Sequence, residues 1–180
     1  ALSLLKIVMK KQIELVINWM RVGFIHGVMN TDNMTVSGET IDYGPCAFMN
    51  AYDPGTVFSS IDHHGRYAYG NQPSVAHWNL LQLAEALLPL IHNKRDRAIE
   101  LVEELVNGFV AIYRKLWFKM MRKKIGLLNE KEGDETLITG LLSWMHKRGA
   151  DYTNTFCSLL KKDILKIELF QDDEFFNWYQ

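Results

Sequence analysis

The sequence predicts a mainly α-helical fold with one small β-hairpin, and three observations lead to this prediction. Long segments carry apolar residues at helical spacing, above all residues 2–22, 75–92 and 134–148. One short interval, residues 34–41, instead combines two β-prone runs with a central Ser37-Gly38-Glu39 turn. Apolar residues make up 48% of the 180 positions, which suffices for one sizeable core.

Charge and cysteine content exclude several classes of function. The chain has 20 Lys and Arg against 21 Asp and Glu, so no global basic field favours nucleic acid as a partner. Cys46 and Cys157 are isolated, which is typical of reduced thiols. No apolar run reaches the roughly 20 residues that span a bilayer, and no signal peptide opens the sequence. We expect no membrane partner, and a cytoplasmic protein in a bacterium or a mitochondrial one in a eukaryote.

The first element is an amphipathic helix over residues 2–22. Its apolar side chains fall mostly on one face, at Leu4, Leu5, Val8, Leu15, Val16, Trp19 and Met20. Gly23 follows the last apolar position and is expected to end the helix. Residues 23–45 then form loops and the predicted hairpin.

A cluster of oxygen-bearing side chains lies in these loops. Asp32 and Asn33 are adjacent, and Asp42 follows nine positions after Asn33. Hard divalent cations favour carboxylate and amide oxygens as ligands. The runs Met34–Val36 and Thr40–Ile41 predict a hairpin that folds Asp42 back beside Asn33. The spacing therefore predicts a site for a metal ion and a nucleotide.

Two further features give this cluster the layout of a protein-kinase catalytic loop. Seven positions separate His26 from Asn33, as in H-R-D-L-x-x-x-N, and Asp42-Tyr43-Gly44 stands where D-F-G would stand. Val28 occupies the place of the kinase catalytic aspartate, and valine accepts no proton. A carboxylate returns at Asp32. We expect the His26 ring to bond backbone groups and to fix the loop.

Residues 46–73 are predicted to form a long loop, because glycine and proline interrupt them repeatedly. The loop stands where a kinase activation segment would, so we expect it to shape the protein-substrate side of a cleft. We interpret His63 and His64 as solvated residues rather than metal ligands. Arg66 is expected to pair with either a phosphate or an acidic neighbour.

The remainder is predicted to be helical. We expect Ser74 to cap a helix over residues 75–92, and Asp96 to cap one helix that runs to about Lys124. The basic end of that helix is interpreted as complementing the helix dipole rather than as a membrane or nucleic-acid surface. Three further segments follow: a helix 134–148 that ends at Gly149, a helix from Asp151 through 160 toward 167, and residues 169–180 as either a docking segment or a frayed tail.

Several separated motifs, taken together and in order, resemble the selenoprotein O (YdiU) family of pseudokinases. The resemblance covers roughly residues 22–160. It rests on the segments His26–Met34, Ile41–Pro45, Ile61–Pro73, Trp78–Leu80 with Leu83–Glu85, and Asp151–Thr153.

The resemblance implies both a fold and an activity. The fold would be a kinase-like C-terminal lobe, and the activity would be protein adenylylation, in which ATP bound in a flipped orientation gives AMP to protein Ser, Thr or Tyr hydroxyls. Asp32 would be the proton acceptor. Asn33 and Asp42 would bind Mg²⁺ or Mn²⁺, and Asp42 would also approach the nucleotide. The parts would be a helix 1–22, catalytic and metal loops 23–45, an activation-segment-like loop 46–73, a helical subdomain 74–168 and a tail 169–180.

The sequence leaves no room before residue 22 for a glycine-rich phosphate loop and its strand lysine. We therefore expect a fragment whose partner is the N-terminal lobe of the same protein. Without that lobe the chain is expected to be inactive and to self-associate through apolar surface.

Three alternatives to AMP transfer stay open at this stage. A protein uridylyltransferase would use UTP, and a kinase-type phosphotransferase would use Asp32 in place of the missing base. A catalytically dead interaction module is favoured by Val28 and disfavoured by the paired ligands Asn33 and Asp42.

Overall fold

The computed structural model describes residues 1–180 as seven α-helices, one two-stranded antiparallel sheet and four short 3₁₀ turns. The helices are α1 (Leu2–Val22), α2 (Gln72–Ile91), α3 (Arg95–Val106), α4 (Phe109–Lys124), α5 (Asp134–Arg148), α6 (Tyr152–Ser158) and α7 (Asp173–Tyr179). The strands are β1 (Phe24–Ile25) and β2 (Ala47–Phe48). The mainly α prediction is confirmed.

Helix α1 is the centre of the packing, in contact with α2, α3 and α4. Its buried face includes Leu5, Ile13 and Val16, none of which is exposed to solvent. Gly23 ends the helix in the left-handed conformation at φ +72°, where a side chain would be strained. The predicted helix 2–22 is therefore confirmed at both ends. None of the seven helices has the length and apolar character that crossing a membrane requires.

The predicted hairpin at residues 34–41 is wrong in extent. Only one β-bridge forms there, between Met34 and Thr40. The Thr35 hydroxyl donates to the Glu39 carbonyl at 2.9 Å and accepts the Glu39 N–H at 3.0 Å, so side-chain bonds replace a strand ladder. The sheet forms instead between β1 and β2, with Phe24 opposite Phe48. This sheet joins the two ends of the loop segment that carries Asp32, Asn33 and Asp42.

Two helix predictions also need correction. Helix α2 begins at Gln72 with Pro73 in its first turn, so Ser74 lies inside the helix and is not its cap. The single helix predicted from Asp96 to Lys124 is two helices, because Asn107-Gly108 interrupts it. Both residues have low helix propensity, and α3 and α4 can then pack separately against the core.

The C-terminal helices follow the predicted signals with changes in length. Helix α5 has the predicted bounds, and Gly149 ends it at φ +58°. The Asp151 carboxylate caps α6 by accepting the Asn154 N–H at 2.7 Å. Helix α6 stops at Ser158 instead of continuing past residue 160, and 3₁₀ turns at 164–166 and 168–170 follow.

The last segment docks on the core and is not frayed. The Asp172 carboxylate caps α7 by accepting the Phe175 N–H at 3.0 Å. The Phe175 ring is fully buried, and its centroid lies 4.8 Å from the ring centroids of both Trp144 and Phe170. Helix α7 therefore completes the core beneath α5.

Candidate functional site

The buried His26 ring joins the two loops that carry the predicted site residues. Its side chain has no exposed surface, and its Nδ1 accepts the Val28 N–H at 3.4 Å. Nε2 lies 2.8 Å from the Ile41 carbonyl oxygen. Since Nδ1 accepts, Nε2 carries the proton and donates it to Ile41. The scaffolding role predicted for His26 is confirmed.

Asn33 ends the 3₁₀ turn Thr31–Asn33 with its carboxamide fixed in orientation. Its Nδ2 donates to the Val28 carbonyl at 3.0 Å, and its backbone N–H donates to the Asn30 carbonyl at 3.0 Å. The carboxamide oxygen accepts no hydrogen bond from the chain. This oxygen is therefore oriented and available to a ligand.

Asp32 and Asp42 both present unengaged carboxylates. Asp32 is exposed in the same 3₁₀ turn and makes no ion pair or side-chain hydrogen bond. Asp42 is exposed and is the one non-glycine residue with a positive φ, at 55°. Such a conformation costs on the order of 1 kcal/mol and persists where the surroundings impose it. Here the preceding residue, Ile41, is held by the His26 ring.

The structure thus links Asn33 and Asp42 through one imidazole. Asn33 bonds the carbonyl of Val28, whose N–H bonds the ring on one side. Asp42 follows the Ile41 carbonyl that bonds the ring on the other side. Fixing the ring therefore fixes both loops relative to each other.

Two buried carboxamides of α2 support these loops, and sequence reasoning did not assign them a role. The fully buried Gln72 accepts the His26 N–H through Oε1 and donates to the Phe24 carbonyl through Nε2, both at 3.0 Å. Asn79 donates to the Met29 carbonyl at 3.0 Å. Both residues are polar and lie on an apolar face of the helix, and this pattern in the sequence could have indicated a structural role for them.

The turn after Asn33 is fastened to α1. Lys11 donates to the Ser37 carbonyl at 3.0 Å, and the Trp19 indole donates to the Thr40 hydroxyl at 2.9 Å. Gln12 donates to the Thr35 carbonyl. The segment between the candidate metal ligands is therefore held along its length.

The loop 46–73 reaches the same site through Tyr67, whose hydroxyl donates to the Asn30 side chain at 2.6 Å. His63 and His64 are exposed, as predicted. Arg66 does not pair with an acidic neighbour: its guanidinium lies 4.7 Å from the Trp78 ring centroid. The acidic neighbour Asp62 accepts the backbone N–H groups of Arg66 and Tyr67 instead. The pairing of Arg66 with a phosphate stays a prediction.

The chain holds no cluster of three or more His, Cys, Asp or Glu side chains that could bind a metal. The candidate ligands are one carboxylate, Asp42, and one carboxamide, Asn33, and a further carboxylate, Asp32, precedes Asn33 in the chain. Enzymes that transfer phosphoryl or nucleotidyl groups hold their metal ion with carboxylate and amide oxygens. Here such oxygens lie on loops that buried hydrogen bonds fix, which agrees with this class of enzyme.

Comparison with known proteins agrees with this class. The family model described as "Protein adenylyltransferase SelO" matches residues 2–176. The chain is 57% identical over 178 residues to a "Protein nucleotidyltransferase YdiU" of Nitrosococcus oceani, covering 99% of this chain and 36% of that protein. Proteins of the same name from Clostridium botulinum and Pelagibacter ubique are 58% and 56% identical, again over 99% of this chain and over 36% and 37% of their own lengths.

The chain therefore belongs to the SelO family of protein adenylyltransferases, as its motifs indicated. It spans 36% of the length of the Nitrosococcus relative, and a similar share of the others.

Proposed function

We propose that a protein of the relatives' length containing this chain is a protein adenylyltransferase. It transfers AMP from ATP to the Ser, Thr or Tyr hydroxyls of protein substrates and requires Mg²⁺ or Mn²⁺. Within the kinase-like lobe that we assign to this chain, Asp32 is the proton acceptor. Asn33 and Asp42 are the metal ligands, and Asp42 also approaches the nucleotide.

One observation carries this proposal: the loops hold the three assigned groups in place and leave them unused. Most other polar side chains of the segment are engaged in hydrogen bonds that hold it, as at His26, Asn30, Thr35, Ser37 and Glu39. The exceptions, the Thr31 and Tyr43 hydroxyls, carry no charge with which to hold a cation. The carboxylates of Asp32 and Asp42 and the carboxamide oxygen of Asn33 take no such bonds. Groups that are both held in place and unpaired suit a ligand that arrives from outside.

The residues fit a hard divalent cation that is shared with a polyphosphate. Mg²⁺ is usually held by one or two protein oxygen ligands, while phosphates and water complete its shell. Asn33 and Asp42 supply two such ligands, and no larger cluster competes for the ion. When bound, the ion neutralises negative charge on the polyphosphate as the leaving group departs.

Asp32 is suited to the proton transfer. In the proposed reaction, the substrate hydroxyl oxygen forms a bond to the α-phosphorus while the bond from that phosphorus to the bridging oxygen breaks. Pyrophosphate leaves with the electron pair, and the hydroxyl proton passes to the Asp32 carboxylate. Asp32 is exposed on a turn that the Asn33–Val28 hydrogen bond holds, so a protein hydroxyl can reach it from solution. The Val28 side chain offers no such acceptor.

The fate of the label from ATP tests this function. The full-length protein is incubated with ATP labelled at the α or, separately, the γ phosphate, with Mg²⁺ or Mn²⁺, and protein-bound label is followed. We expect α label to enter protein, γ label to leave as pyrophosphate, and Asp42→Ala to abolish the transfer. Label transferred from the γ position would establish a kinase. Label from neither position would favour an interaction module.

A parallel reaction with α-labelled UTP tests the base. Greater incorporation from UTP than from ATP would make the protein a uridylyltransferase and overturn the adenylyl assignment. Thermal melting of Asp42→Ala separates loss of chemistry from loss of fold.

The apolar surface beside Asp42 supports a neighbouring lobe as partner. Tyr43 and Phe48 are 67% and 62% exposed and lie close to a cavity of about 300 Å³ between α1 and β2. We propose that the phosphate-binding lobe covers this surface. The 180-residue chain alone should then self-associate, and light scattering from a clean monomer at high concentration would contradict this.

A further inference from the structure

The basic side chains of α4 lie on two faces of the helix, and the cations of only one face pair with carboxylates of the chain. On one face, Arg114 pairs with Glu135 at 2.6 Å and Arg122 pairs with Glu130 at 3.0 Å. These arginines are satisfied within the chain and connect α4 to the start of α5. Dipole complementation therefore does not describe the whole basic segment.

The other face borders a groove between α1 and α4 of about 530 Å³. Arg21 comes from α1, and Lys119, Lys123 and Lys124 come from α4. None of these four cations takes part in an ion pair, and Glu14 is the one carboxylate in the lining. Apolar side chains, Ile17, Leu116 and Met120, form the rest of the wall together with Asn18.

The positive charge of this groove exceeds what the helix ends require. Helices α1 and α4 end side by side: the Lys124 ammonium, in the last turn of α4, donates to the Arg21 carbonyl in the last turn of α1. Each helix C-terminus carries roughly −0.5 charge, so the two ends and Glu14 together amount to about −2. Four cations therefore leave an excess of about +2. Burial, and then the charge of Arg21, lower the pKa of Lys124 to about 7; with Lys124 neutral, about +1 remains.

We propose that this groove, which we call the α1–α4 groove, binds an acidic segment of a protein partner in which carboxylates alternate with apolar residues. Cations beside an apolar wall match such a segment in both charge and surface. Neither Asp32 nor Asp42 lines the groove.

The spacing favours a peptide over a single phosphate. Lys119 and Lys123 are one helical turn apart, about 6 Å along the axis, and alternate residues of an extended peptide are separated by about 6.6 Å. A compact phosphate would leave the apolar wall unused. Lysines spread along the groove also lack the forked geometry with which arginine grips one phosphate.

A labelled octapeptide of alternating Glu and Leu tests the proposal by fluorescence anisotropy with the full-length protein, in the absence of nucleotide. The groove variant is Lys119→Gln with Lys123→Gln. The matched control is Lys161→Gln with Lys162→Gln, which removes two exposed lysines outside the groove. We expect the groove variant to bind about fivefold or more weakly than wild type, and the control to keep the wild-type affinity. Binding should also weaken as salt is raised.

Three results would overturn the proposal. Equal loss in both variants would show unspecific charge attraction. Equal binding of a peptide with Gln in place of every Glu would show that the cations are not used. Tighter binding of inorganic tripolyphosphate or of single-stranded DNA than of the peptide, lost in the groove variant, would assign the groove to another polyanion.

A second measurement does not depend on the variants. NMR titration of the Lys124 side chain should show its pKa rise when the peptide is bound, because nearby carboxylates favour the charged amine. An unchanged titration with saturating peptide would place the peptide elsewhere.

Discussion

Two irregular parts of this molecule are held in place by different means. The loops between β1 and β2 are fixed by a few directed hydrogen bonds from buried polar side chains, chiefly His26, Gln72 and Asn79. The C-terminal segment is fixed by ring contacts of Trp144, Phe170 and Phe175. Directed bonds fix the position of a group, whereas ring packing supplies stability with less geometric control. The difference indicates which part of the chain is built to present groups to a ligand.

The largest expected effect lies in the aromatic part. Phe175→Ala should lower the free energy of unfolding by about 3–5 kcal/mol, because a fully buried ring is lost. The matched change Phe176→Ala, at a ring that is 42% exposed, should cost less than about 1 kcal/mol. Urea denaturation of both variants measures the contrast. Similar losses would mean that α7 does not belong to the cooperative core.

A buried carboxamide tests the hydrogen-bonded part. Gln72→Leu leaves the His26 N–H and the Phe24 carbonyl without their partner, which should cost about 2–4 kcal/mol. Transfer activity of the full-length protein should also fall at temperatures where the variant is folded. Gln171→Leu, at an exposed glutamine, is the control. Unchanged activity in the folded Gln72 variant would contradict a positioning role.

One contribution to the pH dependence of stability between pH 7 and 10 comes from Lys124, which lies at the end of α4 against Arg21 and Tyr152. Its pKa is lowered to about 7 in the fold and is 10.5 ordinarily, so the unfolded chain binds the extra proton between these values. Stability should therefore rise with pH across this window, by up to about 1 kcal/mol per pH unit. The Tyr152 and Phe156 rings, with centroids 3.9 and 4.0 Å from the ammonium, favour the charged form and reduce this slope.

Lys124→Met keeps the apolar stem and removes the titrating amine. Denaturation of this variant between pH 7 and 10 should show a flatter dependence than wild type. Equal slopes in the two proteins would assign the effect to other groups.

The Asp42→Gly variant should have the smallest effect on stability and one of the largest effects on transfer activity. Asp42→Gly places glycine at φ +55° and removes a conformation that costs a non-glycine residue on the order of 1 kcal/mol. Stability should stay within about 1 kcal/mol of wild type, in the stabilising direction, while transfer by the full-length protein is lost. Melting and label incorporation are measured on the same preparation. A strongly destabilised variant would mean that the Asp42 carboxylate has a structural role.

Local signals in the sequence predicted much of the fold. The bounds of α1 and α5, their glycine termini and the Asp151 cap follow from periodicity and capping residues. The sheet and the break at Asn107-Gly108 did not, because both depend on how distant segments pack. The 34–41 interval was misjudged because the Thr35 hydroxyl competes for backbone groups that a ladder would use.

The candidate site was also predicted only in part. Asp32, Asn33 and Asp42 come from motif spacing and family resemblance, and their roles stay predictions. Of the residues that hold their loops, His26 was predicted and Gln72 and Asn79 were not. The bonds from Gln72 to His26 and from Asn79 to Met29 connect positions 46 and 50 residues apart. No local pattern specifies such partners.

The central claim is that Asp42 holds the metal while Asp32 acts on the substrate proton. Electron paramagnetic resonance of Mn²⁺ with the full-length protein and a non-hydrolysable ATP analogue tests this division most directly. Asp42→Asn should weaken Mn²⁺ binding by about tenfold or more, whereas Asp32→Asn should keep the wild-type affinity and lose transfer. Equal Mn²⁺ affinity in wild type and Asp42→Asn, or loss of the ion in Asp32→Asn alone, would contradict the account.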